Sequence, residues 1–184
     1  SLAYLESKIS QVISSGTEIV ATIFTHKHPD HIGDMSRISE IYDAPIWASP
    51  ITLSAISYDG PTLSIEEGDS FSLRGPNGTV EWSVIETPGH CPGHICLVGD
   101  AGIVSGDNCV VVGTILVPSS DGNMNSYISG LERIRSLRPT MLFPGHGPAC
   151  TNPPRLLERY IKHRTARHAS VLNAVLSGLS DLEE

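Results

Sequence analysis

The sequence predicts a layered α/β fold. Short β-branched, apolar segments alternate with stretches of helical periodicity along the 184 residues, and each histidine-bearing motif falls directly after a strand-like segment. In layered α/β proteins functional sites lie at that edge, beyond the strand ends. A chain of this length buries one sizeable core without needing a second, so 1–184 is read as one domain.

The elements follow in order. Leu2, Leu5, Ile9, Val12 and Ile13 recur at helical spacing, and Gly16 follows as a stop signal, predicting an opening amphipathic helix. EIVATIFTH reads as a buried strand. Ile32, Met35, Ile38 and Ile41 mark a second helix, and PIWAS a short strand. From Asp59 to Gly78, Gly, Pro, Asp and Ser punctuate short apolar alternations, as hairpins and loops require. TVEWSVIET, HICLVGD and GIVSGD read as three further strands, SYISGLERIRSL as a helix and MLF as a last strand. A long helix is predicted over about 153–178, with Leu156, Leu157, Tyr160, Ile161, His168, Val171, Leu172 and Val175 on or near one face.

Composition narrows the function classes. Twelve Lys plus Arg against 20 Asp plus Glu give a net charge of −8, which disfavours a broad electrostatic grip on nucleic acid. No apolar run approaches the roughly 20 residues needed to span a bilayer. The four cysteines, Cys91, Cys96, Cys109 and Cys150, form no CxxC pair and read as free thiols, which points to a reducing, cytoplasmic compartment. Cys91 and Cys109 flank candidate ligands as small buried thiols.

The chemistry concentrates in THKHPDH, which places His26, His28, Asp30 and His31 within six positions. In an extended chain His26 and His28 point to the same side, so both can clasp one ion. Pro29 turns the chain, and Asp30 and His31 at the mouth of the following helix can reach a second ion. A pattern HxHxDH arises by chance on the order of once in a thousand such sequences. His90 in TPGH, Asp107 in SGDN and His146 in PGHG each end a strand beside glycine, which permits sharp turns and close backbone approach. His94, in the turn four residues after His90, is read as a support or packing residue.

THKHPDH, TPGH, SGD and PGHG, in this order over about Thr25 to Gly147, resemble the successive metal-binding motifs of the metallo-β-lactamase superfamily. The resemblance implies an αββα sandwich with the metals at one edge between two sheets. It implies His26, His28 and His90 on one zinc, Asp30, His31 and His146 on a second, and Asp107 bridging both. An aspartate at the position of Asp107 favours the glyoxalase II, lactonase, thioesterase and nuclease branches over the true lactamases. His28, where the diiron oxygen reductases of the family carry Glu, favours zinc hydrolysis over redox chemistry. The tail is similar to that of lactamase-β-like proteins, whose HRxxRE pattern matches His163, Arg164 and Arg167 but has His168 in place of Glu. Arg164 and Arg167 are themselves read as a solvated helix face.

The functional expectation is a dinuclear zinc hydrolase, with Mn²⁺ or Fe²⁺ as alternative metals. A metal-activated hydroxide would attack an ester, thioester or similar small-molecule carbonyl, while Asp30 or Asp107 orients water or shuttles a proton. A metal-dependent endoribonuclease or phosphodiesterase is the alternative reading, and an inactive metal-binding fragment a third. Members of the family begin with several strands that precede the opening helix, so the sandwich is expected to lack its N-terminal strands here. The sheet edges thereby exposed would favour self-association.

Overall fold

A computed structural model describes residues 2–33, 35–75 and 77–178. The opening helix α1 (Leu2–Ser14) ends where expected, with Gly16 at φ 77°. Its apolar face is only partly covered: Ile9 is buried, while Leu5, Val12 and Ile13 are 40–44% exposed.

The strand predicted from EIVATIFTH is shorter and less buried than its composition suggests. Only Thr22–Ile23 is regular (β1), and Val20 is 47% exposed. The reason is position, because β1 is the edge strand of its sheet and pairs with β2 (Ile46–Ala48) alone. The single helix predicted after the histidine motif is two, α2 (Pro29–Ile32) and α3 (Met35–Ile41). The side chain of Ile38 lies outside the described residues. A short helix that periodicity does not reveal, α4 (Pro50–Ser54), starts from a Ser49 cap with proline in its first turn. With β3 (Thr62–Ser64), the first sheet has the order β1-β2-β3, all parallel.

The second sheet holds β4 (Ser70–Gly75), β5 (Gly78–Glu86), β6 (Ile95–Gly99), β7 (Gly102–Gly106) and β8 (Leu142–Pro144), in that spatial order. The first four are antiparallel neighbours, and β8 returns parallel to β7 after the helix α5 (Met124–Ser136). The tail forms α6 (Pro153–Leu176).

Strand periodicity sorts the side chains into layers. Val84, Ile95, Leu97 and Val104 face the first sheet and pack with Ile23, Trp47 and Ile65. Their chain neighbours Ile85, Cys96 and Ile103 face the other way, onto Tyr127, Leu131, Ile134 and Leu157 of α5 and α6. On the far side of the first sheet Phe24, Ile46 and Ala48 pack with Met35 and Leu53 of α3 and α4. The architecture is therefore an αββα sandwich. Leu131, Ile134 and Leu157 are completely buried, and truncating any one to alanine costs about 2–5 kcal/mol.

Two readings of the tail are corrected. Arg164 is buried rather than solvated, because it continues the row Leu157–Tyr160 at helical spacing on the face turned to the core. Arg167 is exposed, as expected. The apolar face does not stay covered to the end: Val171, Leu172 and Val175 are 51–61% exposed.

Candidate metal centre

Every motif residue reaches the centre from the end of a strand. Beyond β1 the chain stays extended, with the Phe24 amide donating to the Trp47 carbonyl and the Ile95 amide to the Thr25 carbonyl, which spans the two sheets. His26 and His28 thus share a side. His28 is extended (ψ 146°) and Pro29 opens α2, which brings Asp30 and His31 into the first turn of that helix. His90 follows β5, Asp107 follows β7 and His146 follows β8. Two glycines are required here. A side chain at Gly106 (φ 46°) would meet His94 Nε2 at 2.7 Å, and one at Gly145 would meet Asp107 Oδ1 at the same distance.

All seven candidate residues come together, as two triads about one carboxylate. His26, His28 and His90 offer ring nitrogens within 4.8 Å of one another, joined by the Cys91 thiol. Asp30, His31 and His146 form a second such group, with His146 Nε2 at 3.0 Å from Asp30 Oδ2 and 3.2 Å from His31 Nε2. Asp107 lies between them, with Oδ1 3.4 Å from His31 and Oδ2 3.6 Å from His90 and 3.7 Å from His146.

The donor set fits divalent cations. His26 Nε2 and Asp107 Oδ1 are buried without a hydrogen-bond partner. His90 Nδ1–H donates to the Leu116 carbonyl at 2.8 Å, and His28 Nε2–H donates to Asp121 at 3.2 Å. With those protons so placed, the two nitrogens that face each other at 2.8 Å, His90 Nε2 and His28 Nδ1, both present lone pairs. Two lone pairs directed at one point are satisfied by a shared cation and not by each other.

Electrostatics prepare the same protonation states. Burial, with His94 and His31 adding to it, pushes the His26 imidazole down to about 2, and burial also lowers His90. Burial works against ionisation of Asp107, but His31, 3.4 Å from its Oδ1, together with His26 and His146 outweighs it and holds the carboxyl at about 2. Neutral imidazoles and an ionised carboxylate are the forms that bind metal.

Behind the centre, His94 is fully buried and its Nε2 accepts the Asp107 amide proton at 3.0 Å. Its Nδ1–H meets Thr87 Oγ1 at 2.9 Å, and Thr87 in turn accepts from Asn108. His94 therefore fixes the backbone that carries Asp107, in the supporting role expected of it. Cys96 bonds to Thr87 and Asn108 and faces away from the cluster, and all four cysteines are free and buried.

Three contributors lie outside the metal-binding motifs of the sequence. Asp121, bridged to Lys27 at 2.9 Å, orients His28. The Leu116 carbonyl orients His90. Arg164 donates to the Ile115 carbonyl and to Thr114 Oγ1 (2.7 Å), tying down the loop that supplies that carbonyl. The same loop walls a cavity of about 470 Å³ whose other wall is the metal cluster, and Val112 and Leu116 stand 77% and 73% exposed at its rim.

A family model described as the metallo-beta-lactamase superfamily matches residues 3–146. The chain belongs to the metallo-beta-lactamase superfamily. Members of the superfamily include metal-dependent hydrolases, and this chain carries a His/Asp cluster that can hold metal. It is 26% identical over 178 residues to a beta-lactamase-like protein 2 homolog of Caenorhabditis elegans, covering 94% of this chain and 57% of that protein. It is 27% identical to the lactamase-like protein adaB of Aspergillus niger, covering 94% and 51% respectively. The chain thus spans just over half the length of these curated relatives. Among solved superfamily structures, TTHA1623 in a di-iron-bound form superimposes with a TM-score of 0.62 at 27% identity, over 79% of each chain. Among the described residues no helix is long and apolar enough to cross a membrane.

Proposed function

We propose that this superfamily member is a dinuclear zinc hydrolase acting on an ester, thioester or similar small-molecule carbonyl. The observation that carries the reading is the convergence of two ligand triads on Asp107 beside a cavity whose remaining wall is apolar. His26, His28 and His90 would hold one ion, Asp30, His31 and His146 the other, and Asp107 would touch both. When bound, the pair supplies a water of depressed pKa and Lewis acidity towards a carbonyl oxygen.

The chain's own residues do the rest. Asp30, half exposed at the mouth of α2, and Asp107 are placed to accept a proton from a water in the cavity or to orient it. Asp121 and the Leu116 carbonyl keep the ring nitrogens of His28 and His90 aimed inward. Val112, Ile115 and Leu116 offer an apolar seat to the acyl part of a substrate. Among the described residues no Lys or Arg lines this cavity, which favours a neutral carbonyl over a phosphodiester as the reacting group. Zinc suits the His/Asp donor set. The di-iron form of TTHA1623 supports iron as the alternative metal.

The test is metal content by mass spectrometry together with hydrolysis of nitrophenyl esters, acyl thioesters and bis-nitrophenyl phosphate. About two ions per chain and ester or thioester turnover lost on chelation is the expected result. Phosphodiester cleavage without ester or thioester cleavage would overturn the reading, as would wild-type turnover in His26→Ala and Asp107→Ala.

A further inference from the structure

Helix α6 concentrates charge of one sign on a chain of the other. It carries five of the twelve Lys and Arg residues, Arg155, Arg159, Lys162, Arg164 and Arg167, and a single acid, Glu158, in a protein of net charge −8. Arg164 is used inside the fold. The other four, with His163, are exposed, and their helical spacing places them along one side over roughly 18 Å of helix axis. Three arginines elsewhere are paired with carboxylates, Arg37 with Glu6 and Glu40, Arg133 with Glu67, and Arg135 with Glu132, while Arg74 and Arg138 show no such pair among the described residues. Among the described residues none of the four α6 cations has such a partner; Arg159 donates to the Val111 carbonyl at 3.3 Å, with its guanidinium 5.8 Å from the centre of the Tyr160 ring.

This face is continuous with the metal centre. Gly113 and Thr114 line both the cavity over Asp107 and an adjoining one floored by Arg159, Tyr160 and His163. That cavity opens in turn onto a groove of about 570 Å³ along Lys162, His163 and Arg167. A molecule with its reacting carbonyl over Asp107 can therefore lay its far end on α6. Cations at intervals of about one helical turn suit an end bearing more than one phosphate. Among the described residues Tyr160 is the one Phe, Tyr or Trp lining these grooves, and it is buried, so they offer no row of such rings for stacking successive bases of a polynucleotide.

We propose that the exposed cationic face of α6 binds a diphosphate group, carried on the far end of the substrate whose carbonyl is hydrolysed at the candidate metal centre. The identity of that substrate rests on the hydrolase reading above; binding of the diphosphate does not. Arg159 and His163 lie nearest the centre and Lys162 and Arg167 further out, and Glu158 lines a groove together with Arg155, Arg159 and Lys162.

The test is equilibrium binding of fluorescently labelled ADP to the full metal-loaded chain, followed by anisotropy without any turnover. Binding with a Kd below about 1 mM at low salt is expected, weakening as ionic strength rises. Inorganic pyrophosphate should displace it. Reversing two exposed charges, Lys162→Glu with Arg167→Glu, should weaken binding by about tenfold or more, while Arg74→Glu on exposed β4 should leave it unchanged. Circular dichroism checks that each variant is folded. Binding that survives the α6 reversal, as it would if the phosphates sat on the metals, overturns the proposal. So does failure of pyrophosphate to compete, or capture of a single-stranded RNA 12-mer by a chain that does not bind ADP. Ester hydrolysis without ADP binding sinks this inference alone, and ADP binding without ester or thioester hydrolysis sinks the hydrolase reading alone.

Discussion

His26 and His90 are 0% and 5% exposed, whereas the side chains of Asp30 and His146 are 58% and 49% exposed, although both triads share Asp107. The deep triad is also held from behind. Leu116 and Asp121 fix the rings of His90 and His28, and Thr25 Oγ1 lies 3.1 Å from His26 Nδ1. The outer triad touches its own members, Asp107 and, through His31, the ring of His26 at 3.9 Å between centroids. Burial and fixed hydrogen bonds lower the cost of ordering ligands, so the deep group should bind metal tightly and the outer group exchange it.

Removing the shared carboxylate should erase that difference. Asp107→Ala is expected to lose both ions and reduce hydrolysis by more than about a hundredfold, read as ions per chain and kcat/KM. Removing one triad member should sharpen it instead. His146→Ala should retain about one ion per chain and His26→Ala fewer, by mass spectrometry after dialysis. Equal losses in the two variants would mean that the halves bind only as a unit.

The support behind Asp107 gives a smaller effect. His94→Ala leaves the Asp107 amide without its acceptor and should weaken metal binding by about 10–100-fold, with His94→Asn recovering part of it. Acid should discriminate as well. His26 and His94, near 2 and 3 when folded, regain a pKa of 6.5 on unfolding. Below 6.5 the unfolded chain therefore binds more protons, so their contribution to stability is complete above 6.5 and declines as pH falls towards 3. Thermal melts of the chelated protein should show that decline, and a flat profile between pH 6.5 and 4 would contradict it. The smallest effect expected is on the loop tie: Arg164→Met should cost about 1–3 kcal/mol in denaturant unfolding by stranding the Ile115 carbonyl.

Much of this organisation could be read from the chain because the relevant signals are local. HxHxDH, TPGH, SGD and PGHG each join a strand end to a donor side chain, and strand alternation in β5 to β7 sorts two faces without reference to anything distant. What the pattern hides is non-local. Asp121 lies 93 residues beyond His28 in an unremarkable loop, and the Leu116 acceptor is a backbone atom that any residue would supply. Arg164 carries a charge that composition assigns to the surface, yet its row on α6 faces Tyr127, the Thr114 hydroxyl and the Ile115 carbonyl. EIVATIFTH has the residues of a central strand but occupies an edge, and the sequence of a strand does not state how many neighbours it will have.

The ligand segments are divided between the layers of the sandwich: four donors follow β1 of the first sheet, and three leave β5, β7 and β8 of the second. A cation held by both groups fastens one sheet to the other, so metal binding and cohesion of the fold are thermodynamically linked. At a free concentration a thousand times its dissociation constant, one such ion adds about 4 kcal/mol to the unfolding free energy. For a domain whose net stability is about 5–15 kcal/mol, the ambient metal supply then becomes a determinant of how long the chain survives in its folded form.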